Sequence, residues 1–90
     1  MAHEIVKHQD ICGGKSCIKG TRIRVIDIVE RYKIIKELPE DIASVFDIPL
    51  DAVFSAISYY YQHPKEIRYE IEQDKELVKK MRSEMVAYAG

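Results

Sequence analysis

The sequence predicts one mainly α-helical domain in which short N-terminal strands precede a winged-helix-like helix-turn-helix core and a long C-terminal helix. Glycine turns and short apolar runs fill the first 25 residues, and apolar residues then recur at helical spacing between prolines. The sequence lacks the alternation of strands and helices that is typical of a parallel α/β unit. We divide the single domain, residues 1–90, into a β-hairpin region at 1–25, a helix-turn-helix core at 26–63 and a C-terminal helix at 64–90.

The N-terminal region is predicted to contain a β-hairpin over residues 10–18. Gly13-Gly14 is a two-residue sequence of the kind that closes a hairpin, and short runs with apolar residues flank it. After a further turn, residues 22–25 alternate charged and apolar side chains, as a half-buried strand does. Arg22 and Arg24 would then share one exposed face.

The first helix is predicted from Val25 to about Lys36. Apolar residues recur there three and four positions apart, which places them on one face of a helix. The predicted inner face comprises Val25, Ile28, Val29, Tyr32 and Ile35.

Prolines set the boundaries of the next two helices. Pro39 suits the first position of a helix, and the residue before Pro49 is disfavoured in the α conformation, so the second helix has only about two turns. The third helix begins at Asp51 and stops at Pro64. Two short helices joined by a tight turn have the layout of a helix-turn-helix.

The last helix, residues 65–89, is too long for a small core to cover, at on the order of 35 to 40 Å. Its apolar residues follow a three-four alternation that Asp74 interrupts. Part of this seam is therefore predicted to pack on a second copy or a partner, together with exposed tyrosines of the third helix. The candidate partner-binding residues are Tyr59, Tyr61, Ile71, Val78, Met81 and Met85.

Composition indicates a globular protein, with 47% hydrophobic and 32% charged residues. The sequence has neither an apolar run of about 18 residues nor a signal-peptide pattern, so we expect a cytoplasmic protein that does not enter a membrane. Two cysteines are too few for a disulfide framework.

Charge is distributed unevenly along the chain. Residues 1–36 carry eight basic and four acidic side chains, whereas residues 37–62 carry five acidic and no basic ones. Any polyanion would therefore meet the first third of the chain. The candidate nucleic-acid contacts are Lys15, Lys19, Thr21, Arg22 and Arg24. Alternatively, Thr21 satisfies the backbone of a turn and Arg22 pairs with a carboxylate of the first or third helix.

No catalytic, cofactor or metal site is predicted, so we expect a binding protein and not an enzyme. Gly14-Lys15-Ser16 resembles the end of a phosphate-binding loop, but Gln9 stands where that loop requires glycine. His8, Cys12 and Cys17 lack a fourth zinc ligand. The turn of the predicted hairpin explains both glycines better, and the two cysteines are expected to be small, half-buried residues of that hairpin.

Several motifs together resemble the domain-of-unknown-function family four-thirty-three. The shared stretches are Gly14-Lys15, residues 18–25, residues 39–43, residues 51–60 and residues 63–67. The resemblance implies a small prokaryotic helix-turn-helix protein that acts as an antitoxin against a PIN-like ribonuclease toxin. The chain departs from the family pattern at Lys36, because a glycine usually ends the first helix, and the helix beyond Ile67 lies outside the shared region.

Two functions are compatible with these features. One is an antitoxin that masks a nuclease through its C-terminal helix and exposed aromatics, and that also regulates its own promoter. The other is a homodimeric transcriptional regulator that reads the major groove with residues 51–62. That helix has no positive side chain, so the basic strands are the better candidates for contacting DNA.

Overall fold

The computed structural model describes the backbone of residues 3–89 and the side chains of residues 3–84. Two short strands precede a series of helices, so the predicted mainly α class with an N-terminal hairpin and a long last helix is confirmed. The elements are β1 (Ile5–Val6), β2 (Cys17–Ile18), α1 (Val25–Val29), a π-helical segment (Glu30–Ile35), α2 (Pro39–Phe46), α3 (Leu50–Gln62) and α4 (Pro64–Ala89).

The hairpin lies elsewhere than predicted. β1 pairs antiparallel with β2, with Ile5 opposite Ile18, so residues 7–16 form the connection. The prediction of a hairpin over 10–18 is therefore wrong in position, and Gly13-Gly14 ends a short 3-10 turn instead. The reason is burial, because both strands pack on α3. This tertiary contact favours the apolar residues of β1 as the partner of β2.

The predicted strand at residues 22–25 is reduced to a single bridge. Cys17 pairs with Arg24, and the Ile18 N–H donates to the Ile23 carbonyl at 3.0 Å. Arg22 is exposed whereas Arg24 is half-buried, so the two arginines do not share one exposed face.

The first helix changes its hydrogen-bonding pattern part-way along. α1 is a regular helix whose inner residues are buried, and the π-helical segment that continues it ends at Lys36 in the left-handed conformation, with φ 67°. A π turn holds more residues than an α turn and therefore rotates the following side chains around the axis. Ile35, predicted to face the core, is 61% exposed for this reason.

α2 and α3 form the helix-turn-helix. Their axes turn through 113° across the three residues 47–49, within the usual range of about 90 to 120° for this motif. Asp47 ends α2 with φ 54°, and Pro39 and Pro49 stand at the predicted boundaries. The core lies between α1, α2 and α3, where Ile26, Ile42 and Val53 are fully buried.

α4 packs on this core only through its first turns. Ile67 is buried, whereas Leu77 and Met81 are 53% and 54% exposed, and the longest dimension of the molecule is 51 Å. In the described part of the chain, no single helix combines the length and apolarity needed to cross a membrane, although α2 and α3 taken together, bent as they are, meet those criteria.

Candidate functional site

Four of the five predicted nucleic-acid contacts lie on either side of buried strand β2. Lys15, Lys19, Thr21 and Arg22 are together called the basic turn below. The Thr21 hydroxyl donates to the Ile18 carbonyl at 2.8 Å and accepts the Ile23 N–H at 3.1 Å, so it closes the turn. Lys19 pairs with Glu4 at 3.1 Å on the surface, where solvent weakens the interaction. Lys15 and Arg22 make no ion pair among the described side chains.

Arg24 links α1 to α4. Its Nε and Nη2 donate to the two carboxylate oxygens of Asp27 at 3.1 and 2.7 Å, and its Nη1 donates to Asp74 at 2.7 Å. These hydrogen bonds, with Asp27 first, raise the pKa of Arg24. Its guanidinium is committed to two carboxylates of its own chain, so a nucleic-acid contact through Arg24 would have to compete with them.

A buried carboxylate fixes the start of α4 to the strand region. The Ser16 N–H and hydroxyl donate to the two oxygens of Glu70 at 3.0 and 2.9 Å, and both residues are almost fully buried. Lys7 lies 3.6 Å from Glu70 and 2.6 Å from Glu66. The group of Lys7, Ser16, Glu66 and Glu70 is called the anchor below. Sequence reasoning missed it, although the position of Glu70 beside inward-facing Ile67 was a usable signal.

Tyr59 extends the anchor. Its hydroxyl donates to Glu66 at 2.9 Å, and burial raises the pKa of Tyr59. Burial acts to raise the pKa of Glu66, but the hydrogen bonds from Lys7 and Tyr59 outweigh it and lower that pKa. The hydrogen bond to Glu66 also raises the pKa of Lys7. Tyr59, a predicted partner contact, therefore has its polar group engaged within its own chain.

The other two tyrosines of this run face different ways. Tyr60 is buried and Tyr61 is 57% exposed, as successive positions on a helix require. The Lys33 ammonium lies 5.4 Å from the centre of the Tyr61 ring, within the range of a cation–π interaction. Tyr61 thus presents an aromatic surface at which a partner could bind.

The second half of α4, residues 74–84, is called distal α4 below. Val78 and Met81, both predicted partner contacts, are 44% and 54% exposed, and Leu77 adds a third exposed apolar side chain that sequence reasoning did not select. Ile71 is half-buried against the core. Met85 lies outside the residues whose side chains the structure describes.

An open groove of about 880 Å³ separates the π-helical segment from distal α4. Glu30 and Ile34 line it on one side, and Lys75, Val78, Lys79 and Arg82 line it on the other. Burial and the nearby carboxylates of Asp74 and Asp27 raise the pKa of Glu30. Among the described residues, no group of three or more His, Cys, Asp or Glu is arranged to hold a metal ion.

Residues 5–60 match the family described as "Protein of unknown function (DUF433)", which is more than half of the chain. The chain belongs to the DUF433 family. No curated protein and no solved structure matches this DUF433 protein. The matched region contains the basic turn and all of the helix-turn-helix except the last two residues of α3, whereas Glu70 and distal α4 lie beyond it.

Proposed function

We propose that this DUF433 protein is an antitoxin that binds and neutralises a PIN-like ribonuclease toxin, the partner class that the family resemblance implies. The observation that carries the proposal is the exposure of apolar side chains on distal α4. Leu77, Val78 and Met81 are about half exposed on a helix that leaves its own core. Exposed apolar side chains grouped on one helix are typical of a protein-binding surface.

The energetics favour a protein as the ligand of distal α4. Burying apolar surface contributes roughly 25 cal/mol per Å², and a short helix without tertiary contacts is only marginally stable in water. A partner that covers Val78 and Met81 would therefore bind more tightly and would also stabilise the helix. DNA offers no comparable apolar surface to this face.

Co-expression with the product of the neighbouring gene tests the proposal. We expect the two proteins to co-purify and the complex to have less ribonuclease activity than the partner alone. Met81→Asp should weaken the complex because it adds a charge to the seam. Lys80→Asp places the same acidic side chain at an exposed position about 100° around the helix from Met81, outside the lining of the groove, and serves as the control.

Two outcomes would contradict the antitoxin proposal. One is the absence of a complex with the wild-type chain, and the other is a complex that retains full ribonuclease activity. If neither variant weakens the complex, distal α4 is not part of the interface and the antitoxin role falls to another surface.

A second candidate function is DNA binding by a homodimer. The observation that favours DNA binding is the 113° angle between α2 and α3, which suits a helix-turn-helix. The exposed positions of α3 include Asp51 and Phe54 and carry no positive charge. The basic turn would therefore supply the phosphate contacts. Arg22→Ala should lower affinity for promoter DNA and reduce the slope of log K against log salt by about one, whereas Arg68→Ala on α4 should change neither.

A further inference from the structure

We propose that the groove between the π-helical segment and distal α4 holds an amphipathic helix of the partner protein, with acidic side chains along the edge that faces α4. This inference rests on the proposed function and adds the chemistry of the partner segment. Three features of the groove support it: its apolar floor, its basic edge and its acidic inner end.

The apolar floor consists of Ile34 and Val78, which are 66% and 44% exposed on opposite sides of the groove. Ile34 points outward because the π turn rotates the end of the first helix. Two helices that diverge around exposed aliphatic side chains form a surface on which the apolar face of a third helix can pack.

The basic edge runs along α4. Lys75, Lys79 and Arg82 are spaced four and three residues apart, so they lie on one side of the helix. Among the described residues, only Lys75 of these three has an ion pair, with Glu72 at 3.9 Å. Acidic side chains of a partner would complement this row.

A second copy of the chain fits the groove poorly. It would bring the same row of Lys75, Lys79 and Arg82 to the interface, and like charges facing one another across a pair of helices are destabilising. Charge therefore favours a different, acidic protein over self-association at this groove.

The inner end of the groove has the opposite charge. Glu30 lies there with Asp74 and Asp27, and Arg24 is the cation paired with the two aspartates. The N-terminus of a helix carries partial positive charge and its C-terminus partial negative charge. The bound helix would therefore begin near Glu30 and run outward along α4 toward Arg82.

Two matched pairs of variants test the groove in the full-length chain. Ile34→Asp places a charge on the floor, whereas Ile35→Asp alters an equally exposed neighbour that does not line the groove. Lys79→Glu reverses a charge on the basic edge, whereas Lys80→Glu makes the same change about 100° around the helix. Affinity for the purified product of the neighbouring gene is measured by titration calorimetry.

We expect Ile34→Asp and Lys79→Glu each to weaken binding by about tenfold or more, and both controls to stay within about twofold of wild type. All four positions are exposed, and circular dichroism would check that each variant remains folded. If the wild type binds the partner but the two variants of each pair have the same affinity, the groove proposal is overturned while the proposed function stands.

Two further results would also overturn it. If the wild type does not bind the partner at all, the proposed function fails and the groove proposal fails with it. If sedimentation shows a dimer of the free chain that Ile34→Asp dissociates and Ile35→Asp does not, the occupant is a second copy.

Discussion

Lys36 ends the first helix in the left-handed conformation, with φ 67°. This conformation strains any residue with a Cβ atom and suits glycine, which the family pattern usually has at this point. We predict that Lys36→Gly raises the free energy of unfolding by about 0.5 to 1 kcal/mol, because relief of strain exceeds the added entropy of the unfolded chain. Urea denaturation monitored by circular dichroism measures the change.

Lys36→Ala is the control, since it removes the same charge and keeps the Cβ atom. We expect it to leave stability within about 0.5 kcal/mol of wild type. Equal stabilisation by Gly and Ala would show that charge, and not backbone conformation, limits stability at this position.

Ionisation of Glu30 lowers the free energy of unfolding, whereas ionisation of a salt-bridged carboxylate raises it. Its pKa is raised in the folded protein by burial and by Asp74 and Asp27, so its ionised form destabilises the fold. That destabilisation is fully present above the folded pKa and disappears as the pH falls to the unfolded pKa of 4.5.

We predict that Glu30→Gln stabilises the protein at pH 7 by less than about 1 kcal/mol, because Glu30 is only partly buried and solvent screens its repulsion. The gain should vanish as the pH approaches 4. Chemical denaturation of both proteins at pH 7, 5.5 and 4 gives the difference directly. A gain that persists at pH 4 would mean that packing and not ionisation accounts for it.

At the scale of elements, the anchor joins the strand region to the start of α4. Ser16→Ala removes the hydroxyl that donates to Glu70 at 2.9 Å and leaves a buried carboxylate oxygen without that donor. Leaving a buried acceptor unpaired costs about 1 to 3 kcal/mol. We predict a loss of unfolding free energy in that range, measured by urea denaturation.

Ser58→Ala is the matched control, because Ser58 lies exposed on α3. Its effect should be below about 0.5 kcal/mol. Comparable losses at the two positions would argue against a special role for the hydrogen bond to Glu70. Replacing both Ser16 and Glu70 with apolar residues should not recover the lost stability, because the buried backbone N–H of residue 16 then loses its acceptor.

At the scale of the whole molecule, the two halves of α4 differ in how much tertiary packing protects them. Ile67, Glu70 and Ile71 face the rest of the domain, whereas the side chains of residues 77–84 are all exposed. We predict that amides of residues 78–84 exchange with solvent at least about tenfold faster than those of residues 67–71 in the free protein. Hydrogen exchange followed by NMR measures both sets in one sample.

Binding of the partner should slow exchange in distal α4 and leave the core unchanged. If residues 78–84 are already protected in the free protein and the protection falls on dilution, a second copy covers them. Protection that does not depend on concentration or on the partner would contradict the exposed position of this half.

Much of the fold could be predicted from local patterns. Pro39, Pro49 and Pro64 determine where helices begin or end whatever surrounds them, because proline restricts its own backbone and that of the preceding residue. The last helix is too long for the core to cover, and this length can be read from the sequence. The exposure of seam residues such as Val78 and Met81 could therefore be predicted. Leu77 was missed, because it lies to one side of the three-four seam.

Tertiary structure decided the rest. The partner of β2 is a distant apolar pair, since packing on α3 outweighs the local turn signal of Gly13-Gly14. Arg24 and Glu70 are engaged by groups about fifty residues away in sequence, and no local pattern predicts such pairings.

The sequence by itself thus determined the helix boundaries, the uneven charge and the family, because these depend on neighbouring residues or on composition. Only the tertiary structure decided which charges stay available to a partner. A charged side chain is either paired inside the chain, as Arg24 is, or left on the surface, as Arg22 is, according to where distant carboxylates lie. The exposure of Ile34 was decided in the same way, because the π turn that rotates it outward forms only in the folded helix.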